Sequence, residues 1–446
     1  MTTSSSTDPA PEPETGASAP IPLRPRPPAR GSVDVARLAA EAREAARHLS
    51  GQLRPAKDRA VLEMAEALGR RGEEILAENE LDVADARTSH LPDALVDRLR
   101  LDDDRLADMA RSVHAIAALP DPVGAVIEGR RLPNGLRIER RRVPFGVICV
   151  VYEARPNVTS DAAALCVKSG NAILLRGSAM ALRTNRILAE VLAGALIEAG
   201  LPGSAVQFID SRDRHDLLAL IGDRAHADLV IPRGGEELKK TLREHSRIPV
   251  LEAAGGNCHI YVDHGADVAM ARRIVVNAKV QRPGVCNAVE TLLVHEAAAE
   301  RFLPAVLADL GAKGVECRLD ERAAAIVGGE WPAATEEDWA TEYLDLILAI
   351  RIVDSVDEAI GHVNQYGSGH SEAIVTASTA AAEQFADQVE AACVYVNAST
   401  RFTDGGMFGM GAEIGNSTQK LHARGPIGLE ELTTTKWVIH GSGQVR

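Results

Sequence analysis

Cys286 lies in the segment Lys279-Val280-Gln281-Arg282-Pro283-Gly284-Val285-Cys286-Asn287, where Pro283-Gly284 dictates a turn just after a helical pattern ends. A turn there presents the thiol on a loop, open to a substrate. A free thiol with a pKa of about 8.5 is barely ionised at neutral pH, so a nucleophilic cysteine needs a positive or helix-terminal neighbourhood. Arg282 and the flanking backbone amides are the local candidates for it. An inert structural cysteine is the competing reading. That reading holds for Cys149, Cys166, Cys258, Cys317 and Cys393, which lie in apolar runs or lack such a turn.

A second cluster runs from Val143-Pro144-Phe145-Gly146 through an apolar run to Tyr152-Glu153-Ala154-Arg155-Pro156-Asn157. A buried strand ending in Arg-Pro-Asn puts polar groups at the carboxyl edge of a parallel sheet, where open α/β folds bind ligands. The Asn157 amide can donate to a developing oxyanion; a turn-forming Asn after proline is the alternative. Two further runs, Leu174-Leu175-Arg176-Gly177-Ser178 and Ile231-Pro232-Arg233-Gly234-Gly235, each end in Arg and Gly before a helix. That combination offers phosphate a guanidinium and free backbone amides, and its repetition points to a dinucleotide.

Other signals are missing. There is no G-x-x-x-x-G-K-[ST] loop, and His295-Glu296 lacks a second histidine at Ala299, so no metal is expected. The glycines at 409, 411 and 415 fail the dinucleotide spacing and read as a loop, so a nicotinamide coenzyme requires a non-standard mode.

Elements must hold these residues in place, and the rhythm of the chain supplies them. Residues 1–31 contain eight of the 22 prolines and read as a disordered tail. From Ser32, a good N-cap, three Ala-rich helical patterns cover Val33–Leu49, Ala56–Arg70 and Glu73–Arg87. Asn134-Gly135 marks a hairpin. After it strands and helices alternate twice, first from Gly146 to Leu251 and again from about Ala266 to Val396, which predicts parallel sheets covered by helices. Leu432–His440 reads as a last strand without a sequence neighbour, available to another subunit.

The composition suits 446 residues in two or three domains: 46% hydrophobic and 25% charged residues describe a soluble globular chain. Only 3% aromatic residues and a net charge of −14 argue against nucleic acid as a partner. No apolar run is long enough to span a membrane, and the six cysteines form no C-x-x-C pair, so reduced thiols in the cytoplasm are expected.

Taken together, the segments around Phe145, Asn157 and Cys286, with Pro232-Arg233-Gly234-Gly235, Gly256-Asn257-Cys258-His259 and Glu342-Tyr343-Leu344-Asp345, resemble the aldehyde dehydrogenase superfamily. The resemblance runs from about Val33 to the C-terminus and favours the branch that reduces γ-glutamyl phosphate. It implies an α/β fold with a parallel-sheet NADP-binding domain (32–125 and 144–253) and an α/β catalytic domain (254–430). A small β oligomerisation element (126–143 and 431–446) completes it. Cys286 then matches the nucleophile and Asn157 the oxyanion-hole asparagine. Arg176 and Ser178 suit the 2′-phosphate of NADPH, Gly234 and Gly235 flank the pyrophosphate, and Glu342 holds the nicotinamide ribose. Arg401 and Arg424 are the candidates for binding substrate.

The reaction so implied is the NADPH-dependent conversion of γ-glutamyl phosphate to glutamate 5-semialdehyde through a cysteine thioester, the second step of proline biosynthesis. A homo-oligomer, dimer or tetramer, is expected, as is transient contact with glutamate 5-kinase, since an acyl phosphate is short-lived. Glu252, 34 residues before Cys286, stands where hydrolytic relatives keep a water-activating glutamate. The alternatives are therefore a hydrolytic semialdehyde dehydrogenase and a non-catalytic binding protein of the same fold.

Overall fold

Asp34 accepts the Arg37 N–H and so starts the first helix, α1 (Val35–Ser50), two residues after the expected cap at Ser32. The computed structural model describes residues 33–252 and 255–446; the tail at 1–31 and the cap expected at Ser32 lie outside the described residues. Four more helices follow: α2 (Arg54–Arg70, with Pro55 in its first turn), α3 (Gly72–Thr88), α4 (Asp93–Leu99) and α5 (Asp103–Ala118). Their apolar stripes, such as Leu38, Ala42, Ala45 and Leu49 on α1, share one core with the sheet that comes next.

That sheet follows the hairpin of β1 (Val126–Arg131) and β2 (Arg137–Pro144). It is built from β3 (Val147–Tyr152), α6 (Asn157–Lys168), β4 (Ala172–Arg176), α7 (Leu182–Glu198), β5 (Val206–Phe208), α8 (Arg214–Ile221), β6 (Leu229–Arg233) and α9 (Glu236–His245). The four strands are parallel in the order β5-β4-β3-β6. Every residue of β3 is buried, as expected of a central strand covered by helices on both faces. Gly146 precedes it at φ +126°, a conformation that glycine accepts freely.

The second sheet has six parallel strands in the order β12-β11-β7-β8-β10-β9. Its elements are β7 (Cys258–Val262), α10 (Val268–Val280), β8 (Val289–His295), α11 (Glu296–Gly311), β9 (Glu316–Leu319), α12 (Glu321–Val327), α13 (Glu336–Ala340), β10 (Ile347–Val353), α14 (Val356–Tyr366), β11 (Ser371–Val375), α15 (Thr379–Gln388) and β12 (Cys393–Val396). The short pair β13 (Asn416–Ser417) and β14 (Gly425–Pro426) leads to β15 (Thr433–His440).

β15 has a partner that its local sequence does not show. It pairs antiparallel with β2 of its own chain, from Thr433 opposite Pro144 to His440 opposite Arg137, and completes a three-stranded sheet with the hairpin. A partner so distant in sequence leaves no local pattern to read. Among the described residues no helix is long and apolar enough to cross a membrane.

Candidate active site

Cys286 sits on the loop between α10 and β8, on the turn that Pro283-Gly284 begins. A buried ion pair fixes both ends of this loop: Lys279 at the end of α10 bonds Glu290 on β8 at 2.6 Å and the Asp345 carbonyl at 3.0 Å. Burial pushes Lys279 down and Glu290 up to about 7, each opposed by the charge of the other. Glu290 also accepts the N–H of Leu344, which is held at φ +55°, so the Glu342–Leu344 segment is tied to the same strand. The Cys258 thiol donates to the Cys286 carbonyl at 3.2 Å. Asn287 donates to the Thr403 carbonyl at 2.8 Å, and its own carbonyl accepts from Thr400 at 2.7 Å. Gly256 packs so closely that an added Cβ would collide with the Cys286 carbonyl.

Cys286 is half-buried as a residue, whereas the other five cysteines are buried. Burial raises its pKa, Arg233 opposes this most strongly, and Glu413 and Glu342 raise it further. The cation that matters is therefore Arg233, from the end of β6, and Arg282 is not among the leading influences.

Asn157 is the first residue of α6, with Pro156 before it as the N-cap. Its side-chain NH₂ donates to Asp161 one turn on at 3.2 Å, and Asp161 also accepts from the Ser112 hydroxyl at 2.9 Å. Burial raises the Asp161 pKa. A cleft of about 670 Å³ is lined by Asn157 and by Gly284 and Val285, next to the nucleophile, so the two halves of the expected site face one space.

The residues expected to hold a coenzyme line the carboxyl edge of the first sheet. Arg176 ends β4, its Nε buried without a partner, and the Ser178 hydroxyl caps the following turn by accepting from Met180. Gly235 caps α9, and its N–H donates to the Glu153 carboxylate at 2.7 Å; a Cβ on Gly234 would meet the same carboxylate at 2.7 Å. An anion, Glu153, thus already rests on the helix N-terminus where a phosphate would bind. An Arg176 Nε without a partner, on a guanidinium whose other end donates to the Gly177 carbonyl, and an anion cradle too tight for a Cβ fit a phosphorylated dinucleotide. Glu342 accepts the Gly256 N–H at 2.6 Å and lies close enough to Cys286 to raise its pKa.

Arg401 lies near Cys286 and Arg282 and donates to Gln281 at 3.1 Å. Arg424 is turned to Glu390 at 3.7 Å, alongside the Lys420–Glu390 pair. Glu252 is engaged by Arg243 at 3.4 Å.

The model of the aldehyde dehydrogenase family matches residues 26–325 and 339–438. The gamma-glutamyl phosphate reductase of Thermobifida fusca is 54% identical over 413 residues, 93% of this chain and 99% of that protein. That of Moorella thermoacetica is 55% identical over 406 residues, 91% and 97% of the two chains. The crystal structure of gamma-glutamyl phosphate reductase from Thermotoga maritima superposes with a TM-score of 0.91 at 48% identity, covering 93% of this chain and all of that one.

The chain belongs to the aldehyde dehydrogenase family, in its gamma-glutamyl phosphate reductase branch. The family uses a nicotinamide coenzyme, in keeping with the cradle between β4 and α9.

Three residues of this site owe their role to contacts that no local sequence pattern shows. Arg233 was legible as part of an Arg-Gly-Gly run, but its effect on Cys286 depends on two sheets meeting. Asp161 is one acidic residue among many on helices, distinguished only by its bond to Asn157. Glu413 is held near Cys286, with one carboxylate oxygen buried and unpartnered and its pKa pushed up to about 7 by burial. The pattern Gly411-Ala412-Glu413-Ile414-Gly415 around it reads as loop.

Proposed function

We propose that this chain catalyses the NADPH-dependent reduction of γ-glutamyl phosphate to glutamate 5-semialdehyde and phosphate, a step of proline biosynthesis. The observation that carries the reading is the cleft shared by Asn157 and the loop of the one cysteine that is not fully buried, in a chain of this branch.

The Cys286 thiolate attacks the acyl carbon and forms a C–S bond, while the carbonyl electron pair moves onto oxygen. That oxyanion is held by the Asn157 NH₂. It collapses, the bond from carbon to the phosphate oxygen breaks, phosphate leaves with that electron pair, and a thioester stays on Cys286. When bound, the reduced nicotinamide supplies the hydride that takes the thioester to the aldehyde level. Asn157 again holds the oxyanion, and Cys286 departs as thiolate when the aldehyde forms. Arg233 offsets part of the burial cost of the charged thiolate at each end of the cycle. Arg176 and Ser178 would take a 2′-phosphate, Gly234 and Gly235 the pyrophosphate, and Glu342 the nicotinamide ribose.

Turnover without water as a substrate needs no base, in keeping with Glu252 being occupied by Arg243. The three-stranded sheet exposes Val126, Ile127, Trp437 and Ile439, which supports a homo-oligomer formed through that element.

The test is NADP reduction with glutamate 5-semialdehyde, with and without phosphate. Strict dependence on phosphate is expected; steady turnover without it would make the enzyme hydrolytic and overturn the reading.

A further inference from the structure

The cleft beside Cys286 is crowded with guanidinium groups that have no acid to answer them. Arg155 lies two residues before Asn157, Arg282 lies four before Cys286, and Arg98 comes across from α4; all three line the same cavity. None forms a salt bridge or a side-chain hydrogen bond among the described residues. The carboxylates of the same wall are already engaged: Asp97 with Arg105, Asp108 with Arg111, and Asp161 with Ser112 and Asn157. Like charges gathered without a counter-ion repel one another, and Arg155 is held below its ordinary pKa by burial first and then by Arg233, Arg98 and Arg282. In a chain of net charge −14 such a cluster is a local exception, suited to an anionic ligand.

The geometry points to an anion subsite with two parts: Arg155 and Arg282 take the phosphoryl group of an acyl phosphate at the reacting carbon, and Arg98 takes a carboxylate at the other end of the ligand. The assignment follows from position. Arg155 and Arg282 sit on the two segments that carry Asn157 and Cys286, so they flank the bond that breaks. Arg98 comes instead from α4, a segment that carries neither Asn157 nor Cys286. Guanidinium groups suit both ends because they bind phosphate and carboxylate with paired hydrogen bonds. This subsite deepens the reductase reading and rests on it for the identity of the ligand; Arg401 and Arg233 are not part of the lining of this cavity.

The experiment has two arms. In the first, needing no turnover, Cys286 is alkylated with iodoacetamide in the presence of inorganic phosphate, in the parent chain and in Arg155→Gln, Arg282→Gln and Arg98→Gln. Phosphate should protect the thiol, and the protecting concentration should rise about tenfold or more in Arg155→Gln and Arg282→Gln, the loss expected for a charged hydrogen bond. Arg98→Gln should leave it unchanged. In the second, NADP reduction is followed: the first two variants should raise KM for phosphate about tenfold, and Arg98→Gln should raise KM for glutamate 5-semialdehyde instead. The side chains hold no ion pairs, so thermal unfolding should match the parent and certify the fold. Unaltered protection together with an unaltered KM for phosphate in Arg155→Gln and Arg282→Gln overturns the subsite. Loss of protection in a chain that shows no phosphate-dependent turnover would keep the anion subsite and remove the reductase reading.

Discussion

In the four-stranded sheet the residues of the site come after the strands: Asn157 follows β3, Arg176 ends β4 and Arg233 ends β6. In the six-stranded sheet they come before them: Gly256 precedes β7, Cys286 precedes β8 and Glu342 precedes β10. The two edges differ chemically. Strands that run into helices leave free N–H groups and the positive end of a helix dipole at the carboxyl edge, which suits phosphates. The amino edge receives chain from helix C-termini, and α10 delivers Cys286 with no helix N-terminus to favour a thiolate. Burial therefore raises the pKa of the thiol with no helix N-terminus to offset it, and its main electrostatic support, Arg233, comes from the other sheet. Nucleophile and anion cradle are therefore complementary halves, and each can be broken separately.

The largest break is Cys286→Ala, which should lower the rate of NADPH oxidation with γ-glutamyl phosphate by at least about 10⁴-fold, as removal of other covalent nucleophiles does. Asn157→Ala, from the first sheet, should cost about 10²- to 10³-fold in kcat with little change in KM, measured by steady-state kinetics. Arg233→Gln sharpens the comparison: the midpoint of the pH profile for Cys286 alkylation should move upward, because this cation opposes the burial of the thiolate. An unmoved profile would separate the two halves electrostatically.

Glu413 gives a pH signature. Its folded-state pKa of about 7 stands above its reference value of 4.5, so holding it charged costs stability that is absent below about 4.5 and grows as pH rises toward 7. Glu413→Gln should therefore have a higher Tm than the parent at pH 8, with the gap closing toward pH 5. The smallest effect lies far from the site: Gly135→Ala forces φ +87° on an L-residue and should lower unfolding stability by about 1–2 kcal/mol in a urea titration, with catalysis intact.

Much of the first sheet was legible because its cues are local. β3 is a continuous apolar run, Asn134-Gly135 makes its turn between β1 and β2, and Arg-Gly at two strand ends marked the cradle before any pairing was known. The Cys286 loop was legible from Pro283-Gly284 alone. What escaped depends on contacts between distant segments. β15 finds β2 across nearly the whole chain, and the influence of Arg233 and Glu413 on Cys286 joins both sheets to the loop after β12. Arg424, a cation by type, is turned to Glu390, whereas Arg98 lines the cleft from the short helix α4, whose sequence gives it no distinguishing mark.

The central claim, a thioester on Cys286 resolved by phosphate and not by water, is tested most directly by mixing the chain with glutamate 5-semialdehyde and NADP in phosphate-free buffer and following NADPH by stopped flow. The account predicts a burst of one NADPH per chain, absent in Cys286→Ala, then steady turnover only once phosphate is added. Continued turnover before that addition, or a burst that survives Cys286→Ala, would contradict it.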